Sequence, residues 1–388
     1  MRLGQLDSLR GIFALLVVAY HTPIAHSFMD APIARNGSVG VNFFFVLSGF
    51  VITLAYGARI SSLRGAGDFV IARVGRLWPL HLFAMFVLTV YMLTRWAMDA
   101  AGVYASESGG VPPDLLGQFL RQAFMLHAFA NDTADEINPV SWSIAVEFWC
   151  YLLFAAAVLV GNRSTAVAAT VAALALGFAA LSGAVEMPFG NARMGLWRAL
   201  FYFALGVVAY RAFERLHARG VSVGTWVELG VIGAFALLLH FWRILPAEEL
   251  WGAFVFAPGM VLLALGRGAV TRTLTRPFFL MLGDRSYSIY MIHMIVLLGV
   301  GVATRLAERA LGLTLTEERP WGGGTIDALT YGGTVGANVA FVALLAVIVI
   351  ASGWTYRNVE MPGQQAARRW IGRRNAAERA AEGRERAA

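Results

Sequence analysis

Lysine is missing from this chain: its 31 basic residues are all arginine. Schiff-base chemistry through a lysine amine is therefore excluded. Cysteine occurs once, as Cys150 in an apolar run, so an internal disulfide and a cysteine-rich metal site are excluded too. Charge is scarce, at 14% of residues against 58% hydrophobic. A soluble domain carries about a quarter charged residues. The sequence also lacks a GxxxxGK[ST] phosphate loop, a GxSxG nucleophile elbow and an HExxH zinc motif. No metal is expected. Nucleic acid is not an expected partner either, because the arginines follow membrane topology rather than one binding face.

What the chain has is apolar length. In lipid only helices and closed barrels satisfy their backbone polar groups, and these runs are too long for barrel strands. The expectation is an all-α polytopic integral membrane protein. Ten spans can be drawn, over 9–28, 39–57, 77–98, 139–160, 165–183, 196–213, 225–242, 250–266, 286–304 and 332–353. Gly49 and the LGDRSYS stretch are places where the second and ninth could bend. With the N-terminus inside, twenty-one arginines fall on inner segments and nine on outer ones, Arg285 at the edge of the ninth span being counted with neither. That bias puts both termini in the cytoplasm. Asp99, Glu107, Asp114, Asp132, Asp135 and Glu136 lie in the outer loop 99–138, which also holds a predicted surface helix near 114–129 beginning after Pro112-Pro113. No cleavage pattern follows residues 11–20, so the first segment reads as a retained span. The expected organisation is one membrane domain over 1–362 and an Arg/Glu/Ala-rich cytoplasmic tail over 363–388. No internal repeat is evident, which weighs against a transporter of the repeated-half type.

Ionisable residues inside spans are functional candidates. His21 follows Arg10 by eleven residues, roughly 1100° of helical rotation, so the two share a face roughly 16 Å apart along the axis. The spacing suits an arginine that holds the charged end of a long ligand and a histidine that meets its reactive end; Arg10 as an interface anchor fits equally. Arg73 and Arg76 form an RxxR pair in an inner loop, on one side of a helical turn, with forks suited to phosphate. Glu147, in PVSWSIAVEFW, lies at a depth similar to His21 and is a candidate to orient its ring. Tyr290 and His293 share a face and line the same cavity or a helix interface. Asn42, Ser48 and Gly49 form a polar, small-residue stretch, read as close packing or as a cavity wall. His26, His81, His127, His217 and His240 sit near span ends or in loops and carry no functional reading.

Six segments in order, LDSLRGIFALLVVAYH, VGVNFFFVLSGFVIT, RVGRLWPL, SWSIAVEFWCYLLF, LGDRSYSIYMIH and YRNVEMP, resemble the membrane acyltransferase-3 family across Leu6 to Pro362. The resemblance implies ten core spans in a bacterial inner membrane. It implies transfer of an acyl group, usually acetyl from acetyl-CoA, to a hydroxyl. It makes Arg10 and His21 essential and puts Arg73 and Arg76 near the donor. Some members carry an appended esterase-like domain; here the chain is expected to finish transfer itself or to pass the acyl group to a separate periplasmic protein. On this reading Arg10, Arg73 and Arg76 bind the donor. His21, with Glu147, acts as general base or becomes transiently acylated. Asn42, Ser48, Trp142 and Tyr290 are candidates to steady an oxyanion, and His293 lines the cavity. The acceptor is a carbohydrate or glycolipid of the cell envelope. The alternative is a proton-coupled transporter or flippase of a glycolipid-like substrate, with His21 and Glu147 as its relay.

Overall fold

The structure is a computed structural model describing residues 2–101, 114–129, 137–160, 163–181, 195–245, 248–321 and 324–385. The acidic residues Glu107, Asp132, Asp135 and Glu136 lie outside the described residues. In chain order the helices are α1 (Gly4–His21), α2 (Pro32–Arg35), α3 (Gly40–Tyr56), α4 (Leu63–Ala100), α5 (Leu115–Ala123), α6 (Trp142–Val160), α7 (Arg163–Leu181) and α8 (Leu196–Ala218). There follow α9 (Thr225–Phe241), α10 (Glu248–Ala264), α11 (Ala269–Leu274), α12 (Pro277–Asp284) and α13 (Ser286–Leu311). A hairpin of β1 (Thr316–Trp321) and β2 (Gly324–Leu329) precedes α14 (Gly333–Thr355) and α15 (Met361–Glu385). Among the described residues, seven helical stretches are long and apolar enough to cross a membrane, with shorter apolar helices at Ala169–Leu181 and Leu250–Ala264. The chain is a helical, multi-pass membrane protein.

Several boundaries differ from those expected. The first helix occupies 4–21 rather than 9–28. Thr22 is extended because Pro23 follows it, and the residue before a proline disfavours the helical region. Its polar turns, with Gln5, Asp7, Arg10 and His21, keep α1 out of the seven apolar stretches. The RxxR pair is not in a loop: α4 is one helix of 38 residues that includes it, begun by Ser62, whose hydroxyl accepts the Gly65 N–H. No break occurs at Ser48-Gly49, where α3 is continuous. LGDRSYS does break the helix, with Arg285 between α12 and α13. The 114–129 surface helix is α5 plus a 3-10 turn, capped by Asp114. The antiparallel hairpin was not anticipated. Its strands are only 6 residues each, and Pro320 and the polar run TEER obscure their alternation.

The contacts divide the chain into two compact units. The first comprises Met1–Leu54, Phe129–Asp132 and Thr170–Gly353. At its centre Phe13 stacks on Phe43 at 4.2 Å, with Phe235 and Phe256 edge-on at 5.7–6.0 Å, joining α1, α3, α9 and α10. Close crossings rely on missing side chains. A Cβ on Gly11 would meet the Leu282 backbone at 2.5 Å, and one on Gly283 the Asp7 backbone at 2.4 Å, where α1 crosses α12. Gly49 and Gly206 do the same for α3 against α8, each facing a backbone carbonyl at 2.0 Å. The buried Glu228 carboxylate accepts the N–H groups of Gly268, Val270 and Thr271 and caps α11.

The second unit comprises Ala55–Ala128, Thr133–Ala169 and Trp354–Ala388. The tail is helical, and α15 lies along α4. Gly75 and Gly363 allow that approach: their Cβ positions would fall 2.3 Å from Ala367 and from Pro79. Arg374 pairs with Asp68 at 2.8 Å, and Arg64 with Glu378.

Gly49→Ala and Gly206→Ala are each expected to lower stability by about 1–3 kcal/mol, since a methyl group must displace a facing carbonyl. Thermal unfolding of the detergent-solubilised chain measures this; Gly230→Ala, with open space around its Cβ, is the control and should be nearly silent.

Candidate active site

In the first unit, α13 runs beside α1 in the same direction, and two contacts fix the pairing. At one end Arg10 donates from Nε to Ser286 Oγ at 2.7 Å and from Nη2 to the Gly283 carbonyl at 3.1 Å. Asp7 lies 3.7 Å from the same guanidinium. At the other end the His21 and His293 rings meet, His293 Nε2 lying 3.2 Å from His21 Nδ1. Arg10 is thus a fastener between α1 and the α12–α13 junction as well as a cation.

The hydrogen bonds of the two imidazoles fix their tautomers. His293 Nδ1 lies 2.5 Å from the Tyr290 carbonyl, which can only accept, so Nδ1 carries the proton. In the neutral ring Nε2 is then an acceptor. His21 Nδ1 faces that acceptor and the Val17 carbonyl at 2.9 Å, so it also carries its proton. Neutral His21 therefore keeps its lone pair on Nε2. Among the described residues no protein group bonds that atom. His293 is fully buried, and Tyr290, 5.8 Å away centroid to centroid, packs edge-on to Phe44 of α3. Asn42 and Ser48 are buried on α3.

In the second unit Arg73 donates to the Tyr56 hydroxyl at 3.1 Å, and its guanidinium lies 5.2–5.8 Å from the rings of Tyr56, Phe69 and Tyr151. Tyr151 donates its hydroxyl to Glu147 at 2.6 Å. Arg76 lies 3.9 Å from the fully buried Glu360 of the YRNVEMP segment. Trp142 is buried at the start of α6. Arg73 and Glu147 thus meet through one tyrosine. The imidazole that His21 meets is His293, and the hydroxyl that Glu147 accepts is that of Tyr151.

Sequence reasoning missed Tyr151, although its i+4 spacing from Glu147 was the available signal. It also passed over His81 and His127, which no local pattern links. They pack with parallel rings 6.1 Å apart, His81 donating to the Gln122 carbonyl and His127 paired with Ser141. His127 lies outside the spans, and burial, then the His81 charge, lowers its pKa to about 4.

A family profile described as an acyltransferase domain matches residues 3–357. The chain belongs to this acyltransferase family. Over 96% of its length it is 26% identical to the acyltransferase MdmB of Streptomyces mycarofaciens, covering 94% of that protein. It is 28% identical to the peptidoglycan O-acetyltransferase OatA of Listeria monocytogenes over 40% of this chain and 24% of that one. It is 26% identical to the putative peptidoglycan O-acetyltransferase YrhL of Bacillus subtilis over 48% of this chain and 29% of that one. No solved structure matches. The protein is an acyltransferase enzyme, and these relatives lend the transporter alternative no support.

Between pH about 4 and 6.5 the unfolded enzyme binds a proton at His127 that the folded enzyme refuses. Its contribution to stability is complete above that window and is lost as pH falls through it. Unfolding temperatures measured from pH 4 to 8 should therefore fall less steeply with acid in His127→Gln than in the parent.

Proposed function

We propose that this enzyme moves an acyl group, most simply acetyl, from acyl-CoA to a hydroxyl of a carbohydrate or glycolipid of the cell envelope. The observation that carries the chemical step is the lone pair on His21 Nε2, set by the chain of Tyr290 carbonyl, His293 and His21. That nitrogen takes the proton of the acceptor hydroxyl as the oxygen attacks the thioester carbonyl carbon. The carbon–sulfur bond breaks, the ester forms, and the CoA sulfur leaves with the proton that His21 received. His293 holds the ring in place through Nδ1 and spreads the charge of the transient imidazolium, the part a carboxylate plays in a hydrolase triad. The names of the Listeria and Bacillus relatives support acetyl as the group and a glycan as the acceptor class.

Arg73 and Arg76 are assigned to the donor phosphates, for which guanidinium forks are suited. Glu147 is assigned to the donor side with them, because it braces the Tyr151 ring on which Arg73 rests. Arg10 holds the α1–α13 pair and adds positive charge at its start. The topology we assign has ten spans and both termini in the cytoplasm of a bacterium, with the enzyme in the inner membrane. The arginine bias supports it. So does the parallel run of α1 and α13, which the first and ninth spans of such a chain require.

The test supplies acetyl-CoA labelled in the acetyl group to inside-out vesicles and follows label into envelope glycan or lipid. His21→Ala should lower transfer by about 10²–10⁴-fold; full transfer would overturn the mechanism. Arg73→Lys and Arg76→Lys should raise KM for acetyl-CoA several-fold with kcat largely kept, because the charge remains and the fork is lost.

A further inference from the structure

His21 is the last residue of α1, so the segment that follows it bears directly on where its ring sits. Here that is the hairpin. Leu329 of β2 bonds the chain after α1 in both directions: Ala25 N–H donates to its carbonyl at 2.9 Å, and its own N–H donates to the Pro23 carbonyl at 2.6 Å. The segment turns at His26, whose φ of 60° is left-handed, and Asp30 closes the turn by accepting the His26 N–H at 3.0 Å. Arg319 of β1 donates to both oxygens of Asp30 at 2.9 and 3.0 Å and lies 3.6 Å from Glu317, which in turn faces His26 Nε2 at 3.3 Å. Beneath these bonds Ile24 and Met29 share an apolar cluster with Leu329 and Phe341.

We propose that the Arg319–Asp30 ion pair is a positioning device for acyl transfer: it latches the hairpin onto residues 22–30 and so holds His21 against His293. This rests on the reading of His21 as the transfer base. The argument is geometric. The imidazole contact spans 3.2 Å, and a displacement of about 1 Å in a reacting group costs on the order of a hundredfold in rate. Arg319 Nη1 alone meets both carboxylate oxygens while its Nε side faces Glu317, so the guanidinium is held by charge-assisted contacts on two sides. It acts through the backbone, and neither residue is among the arginines assigned to the donor, so it is expected to set kcat and leave donor affinity alone.

The test uses the full-length enzyme in lipid nanodiscs. Arg319→Ala should lower kcat at least tenfold with KM for acetyl-CoA within twofold of the parent. Asp30→Arg and Arg319→Asp should each behave alike, and the two together should restore kcat to at least half. A kcat within twofold of the parent in Arg319→Ala overturns the proposal, as does a double variant no better than the singles. Should Arg319→Ala not fold, Asp30→Asn removes the charge at nearly the same size and can still accept the His26 N–H: a threefold or greater fall in kcat supports the latch, and an unchanged kcat overturns it. His21→Ala run in parallel separates the two levels. If it is inactive while Arg319→Ala is normal, only the latch fails; if it is active, the reading of His21 fails and takes the latch with it.

Discussion

A buried polar side chain in a helical bundle needs a partner within the protein, and in this enzyme the partner of His21 is another imidazole. That choice has a chemical consequence. An imidazole can accept a hydrogen bond only if its other nitrogen is committed as a donor. The Tyr290 carbonyl makes that commitment for His293, one turn back on the same helix. The lone pair then passes along the chain of rings to His21 Nε2. A backbone carbonyl cannot titrate, so the tautomer is fixed without placing a formal charge beside the base.

The scaffold serves that contact from both ends. Arg10 ties the start of α1 to Ser286 and Gly283, and Gly11 and Gly283 let the α1 and α12 backbones touch. A larger residue at either glycine would push the helices apart. The phenylalanine cluster around Phe13 fills the middle, and the hairpin holds the far end. In the second unit, Arg73 lies in a wall of tyrosine and phenylalanine and Arg76 faces the buried Glu360, which suits groups that must stay charged yet oriented.

Much of the fold was legible because spanning helices announce themselves by apolar length; α3, α6, α8, α9, α10, α13 and α14 fall close to the stretches drawn from sequence. The first helix was displaced because an apolar count runs on through Pro23 and Ile24, where backbone rules end the helix. The hairpin was hidden because its strands are short and charged. Arg10 and His21 were legible as one face of one helix, and so were Tyr290 and His293. The meeting of those two faces was open in the sequence, since nothing local states which of several spans lies next to α1. The link from Glu147 to Arg73 through Tyr151 was partly visible as an i+4 pair, and its second half depended on how α4 packs on α6.

The most direct measurement is nitrogen NMR of the enzyme labelled with ¹⁵N-histidine at neutral pH, with the His21 and His293 signals assigned by substitution. The account predicts that both rings are neutral and protonated at Nδ1, with the Nε2 of His21 a bare acceptor. A His21 ring protonated at Nε2, whether neutral or cationic, would contradict it, because the nitrogen assigned to the acceptor hydroxyl would already be occupied.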